Sequence, residues 1–139
     1  MHIPPGFTQV FPYIFASDAA KYLTFLSEGL GGEIVSVLAA PDGKVRNAHV
    51  RFGDTTIMVS EANEKLGAMK ATYYIYVDNA DAAMARAVKA GGVQRGSVAD
   101  MAYGDRQGGI VDPAGIFGGY HSGYPLAPIR TIARSDVCN

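Results

Sequence analysis

The residues of this 139-residue sequence that could carry chemistry are few: three histidines, one arginine beside a glycine turn, and tyrosines and phenylalanines at alternating positions. His49 sits in the middle of a strand-like segment and His121 at the end of another. Facing one cleft, they would serve as acid and base or as ligands of a metal. The plainer assignment for each is a packed, hydrogen-bonded strand residue, and no catalytic role is assigned. His2 lies in a proline-rich leader and is expected to be mobile. Glu61 and Glu64 follow the fourth strand and could complete such a site, although carboxylates leaving a strand are usually solvated. Arg106 follows Gly104-Asp105 and is expected in a loop ahead of a strand, where its planar guanidinium could grip a carboxylate or phosphate with two parallel hydrogen bonds. The competing assignment is an ion pair with Asp105 or Asp112 that fixes the loop. Phe11, Tyr13 and Phe15 share one strand face by the period of two, as do Thr72, Tyr74 and Tyr76. Such a wall could stack on a planar ligand while its hydroxyls orient it, or could be core beneath helices.

The elements that must position these groups follow from periodicity. Gln9 to Ala16 reads as a strand; Ser17 or Asp18 caps a helix bearing Tyr22, Leu23, Leu26 and Leu30; and Gly31-Gly32 ends it. Glu33 to Ala39, Arg46 to Phe52 and Thr55 to Ser60 read as strands separated by Pro41-Asp42-Gly43 and Gly53-Asp54. After a polar linker, Glu61 to Lys70, the cycle restarts with a strand at Ala71 to Val77. A helix follows, capped by Asp78 or Asn79, with Ala80, Ala83, Met84, Ala87 and Val88 on one face, and Gly91-Gly92 ends it. Val93 to Val98, Gly108 to Val111 and Ile116 to Ser122 complete the second set, and Asp112-Pro113-Ala114-Gly115 reads as a turn. Each half is β-α-β-β-β, and the letters repeat too: Tyr13-Ile14-Phe15 then Asp18-Ala19-Ala20 matches Tyr74-Ile75-Tyr76 then Asp81-Ala82-Ala83. One helix leaves a sheet face uncovered, so two modules set edge to edge would form a curved sheet around a cleft.

Composition narrows the partners. With 12 Lys and Arg against 13 Asp and Glu, and no stretch that concentrates basic residues, the electrostatic footprint of a nucleic-acid binder is missing. The longest mainly apolar run, Val10 to Ala16, is far short of the roughly 20 residues a membrane helix needs, so neither nucleic acid nor membrane is expected as a partner. A soluble, cytoplasmic protein is expected. Cys138, the single cysteine, makes no internal disulfide and has no role assigned.

The segment from Tyr103 to Gly115, with Gly104-Asp105-Arg106 ahead of a strand and Asp112-Pro113-Ala114-Gly115 before the last, resembles a signature of the vicinal oxygen chelate superfamily. This superfamily contains the glyoxalases, bleomycin resistance proteins and dioxygenases, and the match is nearest to its PhnB-like subgroup. Tyr13 with Asp18-Ala19-Ala20, the run Ala48-His49-Val50-Arg51-Phe52-Gly53, and Tyr76-Val77-Asp78 agree with it. The resemblance implies an α+β fold of two tandem βαβββ modules in a curved mixed sheet around a cleft. It also implies one domain over residues 8–122, with modules at 8–61 and 71–122 and a tail at 123–139. Enzymes of the superfamily hold a divalent metal on the first and last strands of each module, positions that fall near Phe11, Met58, Thr72 and Gly119 here. Phenylalanine and glycine offer no side-chain donor, and a thioether or lone hydroxyl suits hard cations poorly. The expectation is therefore a homodimer that binds a small organic, aromatic or anionic molecule with no metal or other cofactor at the usual site. Its ligand-binding residues would be Phe11, Tyr13, His49, Met58, Tyr74, Tyr76, Arg106 and His121. The alternative is a metal-dependent lyase, isomerase or dioxygenase with a relocated site that includes His49 and His121.

Overall fold

A computed structural model describes residues 1–112 and the strand Phe117–Gly123. The Pro113-Ala114-Gly115 part of the expected turn, the chain beyond Gly123 with Cys138, and the side chain of His121 lie outside the described residues. The element order is β1 (Tyr13–Ala16), α1 (Ala19–Thr24) continued by a π-helical turn (Phe25–Gly29), β2 (Glu33–Ala39), β3 (Val45–Phe52) and β4 (Thr55–Glu61). The second module repeats it as β5 (Thr72–Tyr76), α2 (Ala80–Lys89), β6 (Val93–Asp100), β7 (Asp105–Val111) and β8 (Phe117–Gly123). The expected curved, mixed α+β architecture is therefore present. Its ladder divides into two four-stranded sheets of identical order, β1-β4-β3-β2 and β5-β8-β7-β6, each with one parallel pair at its first strand. No helix among the described residues is long and apolar enough to cross a membrane.

Alternation decides which face each sheet buries. Ile14 and Ala16 on β1, Ile57 and Val59 on β4, and Ala48 and Val50 on β3 meet Tyr22, Phe25 and Leu26 of the first helix. Met84 and Ala87 of α2 and Ile110 of β7 join the same cluster, so one core serves both modules. On α2 the buried stripe is Ala80, Met84 and Ala87, while Val88, expected on that stripe, is 44% exposed. The 3.6-residue period carries it off the face.

Both Gly-Gly pairs do more than stop a helix. Gly31 and Gly91 take positive φ, +84° and +104°, and close the helix ends. The second glycine of each pair is a packing residue. A Cβ on Gly32 would lie 2.6 Å from Val50, and one on Gly92 2.6 Å from Ile110, so each helix end presses directly on a strand of its own sheet. Gly92 N–H donates to the Ala87 carbonyl five residues back, whereas Gly32 N–H reaches six back to Leu26, because the π-turn widens the end of the first helix.

Polar contacts also join the modules. Arg86 on α2 donates to the carbonyls of Glu28 and Ser27 at 2.7 and 3.2 Å, satisfying acceptors at the end of the π-turn. Beneath the sheets the hydroxyls of Tyr22 and Tyr73 meet at 2.7 Å. Burial, then the neighbouring Tyr73 hydroxyl, drives Tyr22 far above its ordinary range. Burial pushes Tyr73 up from 10.0 to about 12, against the opposing effect of the hydrogen bond from Tyr22. A raised folded-state value means the neutral form is favoured in the fold, so stability is unaffected below the unfolded value and is lost as pH rises past it. Stability is therefore expected to fall between pH 10 and about 12, the window set by Tyr73, at roughly 1.4 kcal/mol per pH unit for each ionising group. Urea midpoints taken at pH steps check this. Flat midpoints from pH 9 upward, or a slope that Tyr73→Phe leaves unchanged, would contradict it.

Candidate functional site

The first strand is shorter than its composition suggests. Val10 is 85% exposed, Pro12 has no N–H, and the ladder begins only at Tyr13, with Met58 N–H donating to the Pro12 carbonyl at 3.0 Å. Phe11 therefore does not share a strand face with Tyr13 and Phe15; it lies in the segment before the strand and packs on Phe7, ring centroids 5.0 Å apart. On β1 itself Ile14 and Ala16 enter the core, which leaves Tyr13 and Phe15 on the opposite face, 4.6 Å centroid to centroid. They are not core residues beneath the helix. The Tyr13 hydroxyl lies 2.9 Å from Ser60 Oγ, and Ser60 donates its single proton to the Arg46 carbonyl, so Tyr13 is the donor in this pair. On the same face the register sets Met58 between Tyr13 and His49. The His49 ring stands edge-on to Phe7 at 5.1 Å.

The second module repeats this face. Tyr73 and Ile75 turn to the core, while Tyr74 and Tyr76 are 52% and 75% exposed, with ring centroids 5.8 Å apart. Tyr74 pairs in register with Gly119 and Gly119 with Gly109, a row without side chains that opens a path across β8. The Tyr74 hydroxyl uses it, donating to Gln107 Oε1 of β7 at 2.6 Å, and Tyr103 donates to the same oxygen. Partial burial, then the Tyr103 hydroxyl, raises Tyr74 above its ordinary value and keeps it a neutral donor. His121 pairs in register with Tyr76 on one side and Gln107 on the other.

These residues fall into two groups. Tyr74 and Tyr76 line a groove of about 660 Å³ between β5 and the first module, closed on the far side by Leu26, Leu30, Phe52 and Ile57. Tyr13 and Phe15 line another, of about 360 Å³, with Ser60 and Leu66. β1 and β5 are the outermost strands of their sheets.

Arg106 is placed differently from expectation. It lies inside β7, paired with Asp100 and Ser122, because that strand begins at Asp105 and not at Gly108. Its Nε and one terminal nitrogen bind both oxygens of Asp81 at 2.6 and 3.0 Å, and its other terminal nitrogen binds Asp100 at 2.9 Å. Asp81 sits in the first turn of α2, where a carboxylate also suits the helix dipole. The hydrogen bond to Asp81, then that to Asp100, raises the guanidinium further above its ordinary value, and the bond from Arg106 lowers Asp81. Arg106 thus ties β7 to α2 and β6 through Asp81 and Asp100. Glu61 is structural too: its two oxygens accept from the N–H groups of Asp18 and Ala19 at 3.0 and 2.8 Å and hold the start of α1.

The metal positions implied by the resemblance provide a thioether at Met58, a hydroxyl at Thr72 and no donor at Phe11 or Gly119. That set does not fit a hard divalent cation. Among the described residues no three His, Cys, Asp or Glu side chains cluster as a metal site. Gln107, Tyr103 and Arg51 were not anticipated. Period-two alternation from Asp105 would have found Gln107 had the start of β7 been legible.

No protein-family model matches the chain. An uncharacterized protein of Mycobacterium tuberculosis (strain ATCC 25618 / H37Rv) is 27% identical over 137 residues, covering 91% of this chain and 78% of that protein. Among solved structures, TioX from Micromonospora sp. ML1 superposes with a TM-score of 0.72 at 19% identity, over 84% of this chain and 99% of the other. TnmS3, an antibiotic binding protein from Streptomyces sp. CB03234, gives 0.66 at 21% over 89% and 99%. A glyoxalase/bleomycin resistance protein from the same organism gives 0.63 at 22% over 81% and 98%. The chain has the glyoxalase/bleomycin resistance fold.

Proposed function

We propose that this protein binds a small, planar organic molecule, without a metal, against its tyrosine-lined sheet faces. The observation that carries this reading is that Tyr13, Tyr74 and Tyr76, at corresponding places in the two modules, turn away from the core and stand 41%, 52% and 75% exposed. Large aromatics in that position supply stacking area with little entropy to lose, and the hydroxyls of Tyr13 and Tyr74 are already oriented by Ser60 and Gln107. The fold shared with an antibiotic binding protein supports the same class of ligand, and the poor donor set at the superfamily's metal positions supports the metal-free form. The working unit in this reading is a cytoplasmic homodimer that brings the two tyrosine groups to one cleft. The Gly104-Asp105-Arg106 motif supports a reading nearest the PhnB-like subgroup.

Calorimetric titration with a panel of planar aromatic antibiotics tests the reading, run beside nickel, manganese, zinc and ferrous iron on chelator-treated protein. Micromolar or tighter binding of at least one antibiotic, with no stoichiometric metal uptake, is expected. Tight metal uptake would transfer the assignment to a relocated metal site around His49.

A further inference from the structure

Most of the chain ahead of β1 is exposed, but residues 4–7 are seated on the first sheet. Pro4-Pro5-Gly6-Phe7 forms a turn in which Phe7 N–H donates to the Pro4 carbonyl at 3.2 Å and Gly6 takes φ +82°. Proline at the second position and a positive-φ glycine at the third are the requirements of a type II turn. The turn lays the chain across the non-core face of sheet one. Thr56 Oγ1 donates to the Gly6 carbonyl at 2.5 Å, and Phe7 sets its ring against the edge of His49. A Cβ on Gly6 would lie 2.5 Å from a terminal nitrogen of Arg51, so the glycine backbone rests directly on the guanidinium.

Arg51 itself is poorly compensated. Its Nε is buried without a hydrogen-bond acceptor, and Arg51 is in neither of the Arg106 ion pairs. Glu33 stands opposite it in the β2–β3 register without forming a salt bridge. A buried guanidinium donor without an acceptor is costly in a fold, and a carboxylate or sulfonate is the acceptor that removes the cost. The strap already presents parts of such a ligand: an aromatic ring perpendicular to His49, a carbonyl oxygen on Thr56, and backbone against the Arg51 guanidinium.

We propose that the Arg51, Thr56 and His49 face of the first module is a binding site for an aromatic anion, an aryl carboxylate or sulfonate, and that residues 4–7 occupy it as a built-in competitor. The proposal rests on the ligand-binding reading above and adds both the charge of the ligand and the device that restrains its access. While the strap is seated, apparent affinity falls by the fraction of molecules in which the site is open.

Fluorescence titration of the full chain with 1-anilinonaphthalene-8-sulfonate, a planar aromatic anion, tests it. Phe7→Ala removes the ring that competes, and Gly6→Ala disfavours the positive φ of the turn; both lie outside the core, and far-UV circular dichroism confirms the fold. Each is expected to tighten the probe about fivefold to tenfold. Arg51→Met, added to either, should return affinity to the parent value or below, while binding of uncharged N-phenyl-1-naphthylamine is unaffected. Strap variants that leave sulfonate binding unchanged or weaker would overturn the proposal, as would tightened binding that survives Arg51→Met. If the antibiotic panel binds and depends on Tyr76 while the strap variants do nothing, this inference fails and the broader one stands. If the panel fails yet the strap variants tighten the sulfonate in an Arg51-dependent way, the reverse holds.

Discussion

Phe25→Ala is expected to lower the unfolding free energy by about 3–5 kcal/mol. Phe25 is 2% exposed and opens the π-helical turn. Its ring lies so close to Gly29 that a Cβ there would come within 2.9 Å of it and within 3.1 Å of Ala90 Cβ, at the end of α2. The ring therefore fills the seam where the first helix meets the second. The backbone on both sides of that seam is tied down, by the Gly31-Gly32 closure and by Arg86 on the Ser27 and Glu28 carbonyls, so the cavity left by alanine has little means of collapsing. Against a typical domain stability of about 5–15 kcal/mol, this is a large share. Urea unfolding followed by far-UV circular dichroism measures it. A loss under about 1 kcal/mol would show that the modules repack and that the seam is not rigid.

Tyr76→Ala is expected to weaken a planar aromatic ligand about thirtyfold, on the order of 2 kcal/mol, with stability changed by no more than about 0.5 kcal/mol. The separation of the two effects follows from position. Tyr76 is 75% exposed and its neighbour Ile75 supplies the packing, so the fold loses little when the ring is removed. Tyr74→Phe is a useful companion, because it keeps the ring and deletes only the hydroxyl that donates to Gln107. It should fall between the parent and Tyr74→Ala in affinity. Unchanged affinity in Tyr76→Ala for every ligand the parent binds would remove the second module's tyrosines from the site.

The repeat was fully legible in the letters, because each module must solve the same local problem. A strand alternates, a cap follows, a helix buries a stripe, and a glycine pair ends it, so the sequence alone matches Tyr13 to Tyr74. Sequence leaves the direction of the tyrosines open, since period two fixes which residues share a face but not which face meets the helix. Ile14, Ala16 and Ile75 settled it by occupying the core. Strand ends were less legible: Phe11 continues the alternation of β1 in sequence, yet it lacks a partner strand, and Gly108 looks like a beginning although the β7 ladder starts at Asp105.

Local pattern thus determined the two βαβββ modules, the helix stops and the aromatic strands, because propensity, capping and periodicity act within a few residues of each other. Only the tertiary structure decided the fate of the charges and of the leader. Arg106 is 25 residues from Asp81 in sequence, and Arg51 meets the Gly6 backbone with β1, the first helix and β2 between them in the chain. A guanidinium binds whichever acceptor the fold brings within 3 Å, and that distance is set by sheet register and helix packing, not by neighbours in the chain.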